Sequence, residues 1–306
     1  MNQHTRLPLP GLNGSNPLAF LAALGTLRVL TRAWPERDPR LGWESHGGRW
    51  TPFLETQGAA TPEDVVAALD PALHMMDGHR AFTFDSDLKL SADRFAEFSR
   101  QAGQAARTGG DTVAAEFAAA FACEATVNED GTVQDTAFRT MSGAGHQHFL
   151  QFMAELARLT TAAQIQAALF SSWRYEEQKL SMRWDPADDR RYALRWDDPS
   201  GDVIRTVRGA NRLAIEALPL FPVVPVGREL ETTGFGSPHG SGDFWTWPIW
   251  EPPLPLDTVR TVLALDTLQA ARPDRRELAA RGIAEVYRCE RITVGKFRNF
   301  TPAQAV

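Results

Sequence analysis

Two carboxylates and two histidines stand at spacings that suit a metal ion: Asp85 and Asp87 in the phrase FDSDL, and His146 and His148 in the phrase GHQH. If all four converged, hard oxygens and imidazoles would hold a divalent cation able to activate water for phosphodiester hydrolysis. The competing reading is structural. Two residues apart on a helix, side chains leave on different faces, so the histidines would cap or pack and Asp85 would form a turn. The same loop offers a second chemistry. Ser142, Gly143, Gly145 and His146 precede a helix start, where free backbone N–H groups attract a phosphate, although an ordinary glycine turn has the same pattern.

Arginines form three further groups. The segment SMRWDPADDRRYALRWDDPS (181–200) repeats Arg-Trp-Asp and places Arg190 and Arg191 between the copies. Its acids and bases nearly cancel, which suits a self-paired ion network. It equally suits arginine forks held for phosphates or base edges, with Trp184 and Tyr192 available for stacking. Arg205, Arg208 and Arg212 fall on one flank of an expected helix over 203–218, whose apolar stripe is Ile204, Val207, Ala214, Ile215 and Leu218. Near the end, YRCERITVGKFRNF carries Arg288, Arg291, Lys296 and Arg298 against one acid, Glu290. Basic residues interleaved with aromatics suit single-stranded or A-form nucleic acid, and a charged edge strand looks much the same.

The elements that must position these groups read as follows. Ser15 or Asn16 and then Pro17 start a helix over 17–30, buried nearly all round, with Gly25 marking close approach by another backbone. Residues 41–54 predict a hairpin turning at Gly47-Gly48. Helices are expected over 62–69, 91–107, 112–122, 146–159 and 162–172, with a short strand over 81–84 and two β runs around the Asn128-Glu-Asp-Gly turn. Strands at 228–235 and 244–249, helices at 256–264 and 274–281, and closing strands over 283–297 complete the chain. The aromatic tract Phe244-Trp-Thr-Trp-Pro-Ile-Trp suits either a core strand or a contact surface. Helices and strands interleave without a βαβ period, so the expected class is α+β with short antiparallel strands, as one unit over 1–306 or two halves dividing near 135–145.

The chain has 306 residues, 43% hydrophobic and 23% charged, a composition able to bury a large core. Its 38 acids outnumber 32 bases, for a net charge of −6, so any contact with nucleic acid must be local or made within a complex. Cys123 and Cys289 are far apart and form no C-x-x-C, which argues against a disulfide framework or a cysteine zinc site and for a reducing cytoplasm. The apolar run 17–30 is too short to span a bilayer and lacks the flanks of a signal peptide, so no membrane partner is expected. No Walker loop, dinucleotide fingerprint, nucleophile elbow or kinase set is present, and no cofactor is expected.

Several phrases together resemble a known family: NGSNPLAFLAALGTLRVL (13–30), TMSGAGHQHFLQFM (140–153), LSMRWDPADDRRYALRWDDPS (180–200), GANRLAIEALPLFP (209–222) and the closing FTPAQAV. They resemble proteins encoded with type I-G (formerly I-U) CRISPR systems, related in the opening helix motif to the large subunit of those surveillance complexes. The resemblance implies a non-enzymatic subunit of an RNA-guided, Cascade-like complex in antiviral defence. Its implied partners are the backbone subunits, guide RNA, target double-stranded DNA near the protospacer-adjacent motif, and a helicase-nuclease. The chain is shorter than the larger members, which implies that it carries part of that role.

Overall fold

The apolar run after Asn16 forms the central helix α1 (Pro17–Ala33) in a computed structural model that describes residues 4–141, 148–188, 205–294 and 297–306. The Asn16 side chain accepts from the Ala19 N–H, and Pro17 opens the first turn, where it has no hydrogen bond to lose. The helix is buried from Pro17 to Leu30. Gly25 lets α8 (Arg208–Ile215) cross it closely, since a Cβ there would lie 1.8 Å from the Leu213 carbonyl oxygen.

Around α1 the chain lays two antiparallel sheets. The first joins β1 (His4–Pro8), β3 (Arg49–Gln57), β2 (Arg40–His46) and β12 (Leu254–Pro255) in that order. Its β2–β3 hairpin turns at Gly47 and Gly48, whose φ values of 58° and 81° favour glycine. The second runs β10 (Phe235–Gly236), β11 (Phe244–Trp250), β13 (Ile283–Val294), β14 (Phe297–Phe300), with β15 (Gln304–Ala305) also on β13. Among the described residues three two-stranded pairs complete the β structure: β4 (Ala122–Val127) with β5 (Val133–Asp135), β6 (Glu177–Gln178) with β7 (Arg205–Thr206), and β8 (Val223–Val226) with β9 (Glu229–Thr232). The other helices are α2 (Pro62–His74), α3 (Arg80–Thr83), α4 (Ala92–Arg107), α5 (Thr112–Phe121), α6 (Phe149–Leu159), α7 (Ala162–Phe170), α9 (Leu256–Leu263) and α10 (Arg275–Ala280). The class is α+β.

The aromatic tract is core. Trp43, Trp245, Trp247 and Trp250 surround Phe20 with ring centroids 5.6 to 6.3 Å away. Two of the indoles satisfy their N–H groups on backbone: Trp247 donates to the Gly14 carbonyl at 2.9 Å and Trp250 to that of Leu41 at 2.7 Å. Buried apolar residues form one continuous cluster from Leu9 to Phe300. Among the described residues no helix is long and apolar enough to cross a membrane.

Three local expectations are corrected. Residues 81–84 lie not in a strand but in the turn of α3, because the His79 side chain accepts from the Ala81 N–H and the buried Phe82 ring meets Phe117 edge-on. Helix α2 continues through Pro71 to His74, since the ring removes one ladder bond while buried Leu69 and Leu73 hold both sides in the core. The helix expected over 203–218 is shorter: Arg205 and Thr206 pair with Gln178 and Glu177 as strands, and α8 begins at Arg208.

Candidate nucleic-acid interface

That last correction dissolves the expected row of three guanidinium groups. Arg205 is exposed on β7 and Arg208 is half-buried at the start of α8. Arg212 has no exposed surface: it donates to Glu216 Oε1 at 2.9 Å and to the Leu73 carbonyl at 2.9 Å, and is a core ion rather than a phosphate contact. Arg288 is likewise structural. On β13 it points away from the tryptophan face, and its guanidinium is closed in by Thr246 Oγ1 and by the carbonyls of Leu268 and Ala270. Cys289, facing Trp245 across the ladder, is buried too, and burial pushes its thiol well above the ordinary range, so it is no nucleophile.

Arg291 and Arg298 are half-buried and reach the same backbone turn. Arg291 Nε lies 2.6 Å from Asp243 Oδ2, and its Nη1 donates to the Ala137 carbonyl at 2.7 Å. Arg298 Nη1 reaches the Arg139 carbonyl at 3.4 Å, and among the described residues it has no carboxylate ion pair. Burial lowers its pKa, with Arg291 adding to the effect. Arg190, Arg191, Lys296, Ser142, Gly143, Gly145 and His146 lie outside the described residues.

Of the metal quartet, Asp87 and His148 come together, with His148 Nδ1 3.7 Å from Asp87 Oδ2. Asp87 is nevertheless engaged by a guanidinium fork: Arg139 Nε donates to one oxygen at 3.0 Å and Nη2 to the other at 2.8 Å. Its Oδ1 also accepts from the Phe149 N–H at 3.3 Å, at the start of α6. Asp85 turns elsewhere and accepts from the Ser86 N–H. Among the described residues no group of three or more His, Cys, Asp and Glu side chains is placed to hold a metal ion.

The structure brings together a different set of groups. Asp185, from the first Arg-Trp-Asp, accepts from Asn16 Nδ2 at 3.1 Å, from the Tyr175 hydroxyl at 2.9 Å and from the Ala187 N–H at 3.0 Å. Asn211 of GANR accepts from the Met182 N–H at 2.8 Å and donates to Thr206 Oγ1 and the Val207 carbonyl. Thr140 donates to the Met182 carbonyl at 2.6 Å, and Trp184 Nε1 to that of Phe138 at 2.9 Å. Thus the phrases NGSN, TM, SMRWD and GANR, distant in the chain, are tied into one polar knot.

The knot holds a backbone that would not hold itself. Tyr175, Lys179, Leu180 and Arg183 have φ of 54°, 66°, 53° and 57°, the left-handed region that costs each non-glycine residue about 1–2 kcal/mol. Strain of this kind persists where surrounding bonds over-determine it, and it concentrates at functional sites. Beside the strained segment a cleft of about 310 Å³ opens between Trp173, Arg174, Tyr175 and Val207, along the β6–β7 pair that carries Arg205. The rings of Trp173 and Tyr175 meet edge-on at 6.2 Å, and Arg174 and Lys179 are exposed. Glu176 and Glu177 line the same cleft and Arg174 lies 3.9 Å from Glu176, so its cations are partly offset, while the half-buried rings offer faces on which a base can stack. Sequence reasoning missed Tyr175, Asn211, Thr140 and Asn16 as a set; Asn16, Thr140 and Asn211 lie inside the phrases quoted for the resemblance, and no local pattern joins Tyr175 to them. No family model matches this chain, and comparison with curated proteins returns no relative.

Proposed function

We propose that this chain is a non-enzymatic, cytoplasmic subunit of an RNA-guided type I CRISPR effector complex, of the type I-G kind, that binds nucleic acid and partner subunits in antiviral defence. One observation carries the reading. Four of the five phrases that resemble the family meet in the knot around Asp185 and Asn211, where they hold the left-handed residues Leu180 and Arg183 buried and leave Lys179 exposed.

In this reading Arg205 contacts phosphate from the exposed end of β7, Trp173 and Tyr175 supply stacking faces, and Arg298 with Arg291 forms a second contact on the β13–β14 side. Guide–target base pairing supplies sequence specificity, and the subunit contributes backbone contact near the protospacer-adjacent motif and docking for a helicase-nuclease. Phosphate contacts of this type do not need a basic protein, because partner subunits share the neutralisation.

Co-expression with the neighbouring CRISPR backbone proteins and a guide RNA tests the proposal. The chain is expected to copurify with both in one complex, and that complex to bind target duplex more weakly when Arg205→Glu is introduced. A stable monomer that ignores both partners and nucleic acid would sink it, and metal-dependent cleavage of DNA or RNA by the purified chain would replace it with a nuclease reading.

A further inference from the structure

A second concavity lies away from the knot. It is a half-open cleft of about 620 Å³ between α1, α2 and the start of α5, within the range of small-molecule sites. Its walls are apolar: Val29, Trp34, Ala72, Met76 and Val113 line it, and Met75, 75% exposed, stands at its edge. Its floor is ionic. Arg28, only 1% exposed, pairs with Glu116 at 2.7 Å and Glu216 at 2.6 Å. Arg32 also bonds Glu116, and Arg212 bonds Glu216 from behind.

The charges do not cancel. Three guanidinium groups, Arg28, Arg32 and Arg212, share two carboxylates, Glu116 and Glu216, which leaves one excess positive charge. Among the described residues the neighbours do not remove it: Arg80 and His79 face Asp111, and Arg260 pairs with Asp257. Arg32, at the rim, is over a third exposed on its side chain and is the member free to turn toward an incoming group. Burial and the repulsion of Arg28 lower its pKa, and a further anion beside it would act in the opposite direction.

We infer that this cleft binds a small amphipathic monoanion, an apolar or aromatic body carrying one carboxylate or sulfonate group that meets Arg32 while the body lies against Val29, Trp34 and Met76. A neutral apolar molecule would fill the walls and leave the floor uncompensated, whereas a polyanion would have to desolvate charge against the apolar walls. The inference does not rest on the nucleic-acid reading.

The test titrates the full chain with fluorescent anilinonaphthalenesulfonate and, in parallel, with its uncharged analogue phenylnaphthylamine. The anionic probe is expected to saturate at one per chain. Ala72→Trp, which fills the cleft from a half-buried wall, is expected to weaken it about tenfold or more by steric overlap. Val113→Trp gives the same result should Ala72→Trp fail to fold. Arg32→Gln is expected to weaken the anionic probe about tenfold and leave the neutral one unchanged, as loss of a charged hydrogen bond predicts. Equal binding of both probes, several probes per chain, or indifference to both tryptophans would overturn the inference.

Discussion

Asn211 acts on two segments at once, through both atoms of its amide. Its oxygen receives the Met182 N–H within the strained segment, and its nitrogen ties back to Thr206 and Val207 at the end of β7. Asn211→Ala takes this partner from the Met182 N–H and the Thr206 hydroxyl, while the Val207 carbonyl keeps the residue-211 backbone N–H, and is expected to cost about 2–4 kcal/mol, read from urea unfolding, since each orphaned group costs about 1–3 kcal/mol. Glu216 belongs to the same helix end and behaves differently because it is ionic. Burial alone would raise its carboxyl, but Arg212 and Arg28 outweigh burial and hold it below the ordinary carboxylate range. A group depressed in the fold stabilises above its unfolded pKa, and loses that contribution as pH falls through the folded value. The stability difference between the wild type and Glu216→Gln is therefore expected to be about 3 kcal/mol and flat from neutrality to roughly pH 5. It should shrink below roughly pH 4, as measured by denaturant melts across pH.

Between elements, the contact of α1 with α8 decides most. Gly25→Ala would drive a Cβ into the Leu213 carbonyl, a backbone atom that cannot swing aside. The helices would have to part, at an expected cost of about 3 kcal/mol and a clear fall in Tm. Gly103→Ala is the matched control. Within α4 its nearest neighbour would be Arg107 Nη1 at 3.5 Å, so the alanine should stabilise by about 0.5–1 kcal/mol through helix propensity. The role of Gly25 was legible from an isolated glycine inside an apolar helix. The end of α8 was not: Ile204, Val207 and Ala214 have helical spacing, yet the chain before Arg208 pairs as a strand with β6, a partner about thirty residues upstream that no local pattern announces.

Over the whole molecule, the net charge of −6 does not describe any one face. Arginines that looked equivalent divide into two kinds, those spent on the core and those left at the surface, and a salt titration separates them. Arg205→Ala is expected to reduce the slope of log affinity against log salt by about one, with little change in stability. Arg288→Ala is expected to lower Tm, because it strips the hydrogen bonds of the Asp266–Gln269 turn, while the slope in the folded fraction stays unchanged. Filter binding and thermal melts on the same two variants check both halves.

The sequence by itself determined what depends on neighbours a few residues away. The Asn16 cap, the proline start of α1, the diglycine turn of the β2–β3 hairpin and the α+β class all follow from short-range sterics and hydrogen bonding. Alternation along a strand puts Arg288 and Cys289 on opposite faces, and the register of β11 with β13 makes the Cys289 face the tryptophan one. Only the tertiary structure decided that the Arg288 face is closed by the Asp266–Gln269 turn, that Leu73 and Glu216 enclose Arg212, and that Asp185 meets Asn16 across the chain. Periodicity states which way a side chain points, but whether water or protein lies there depends on segments brought from far away by burial of the common core.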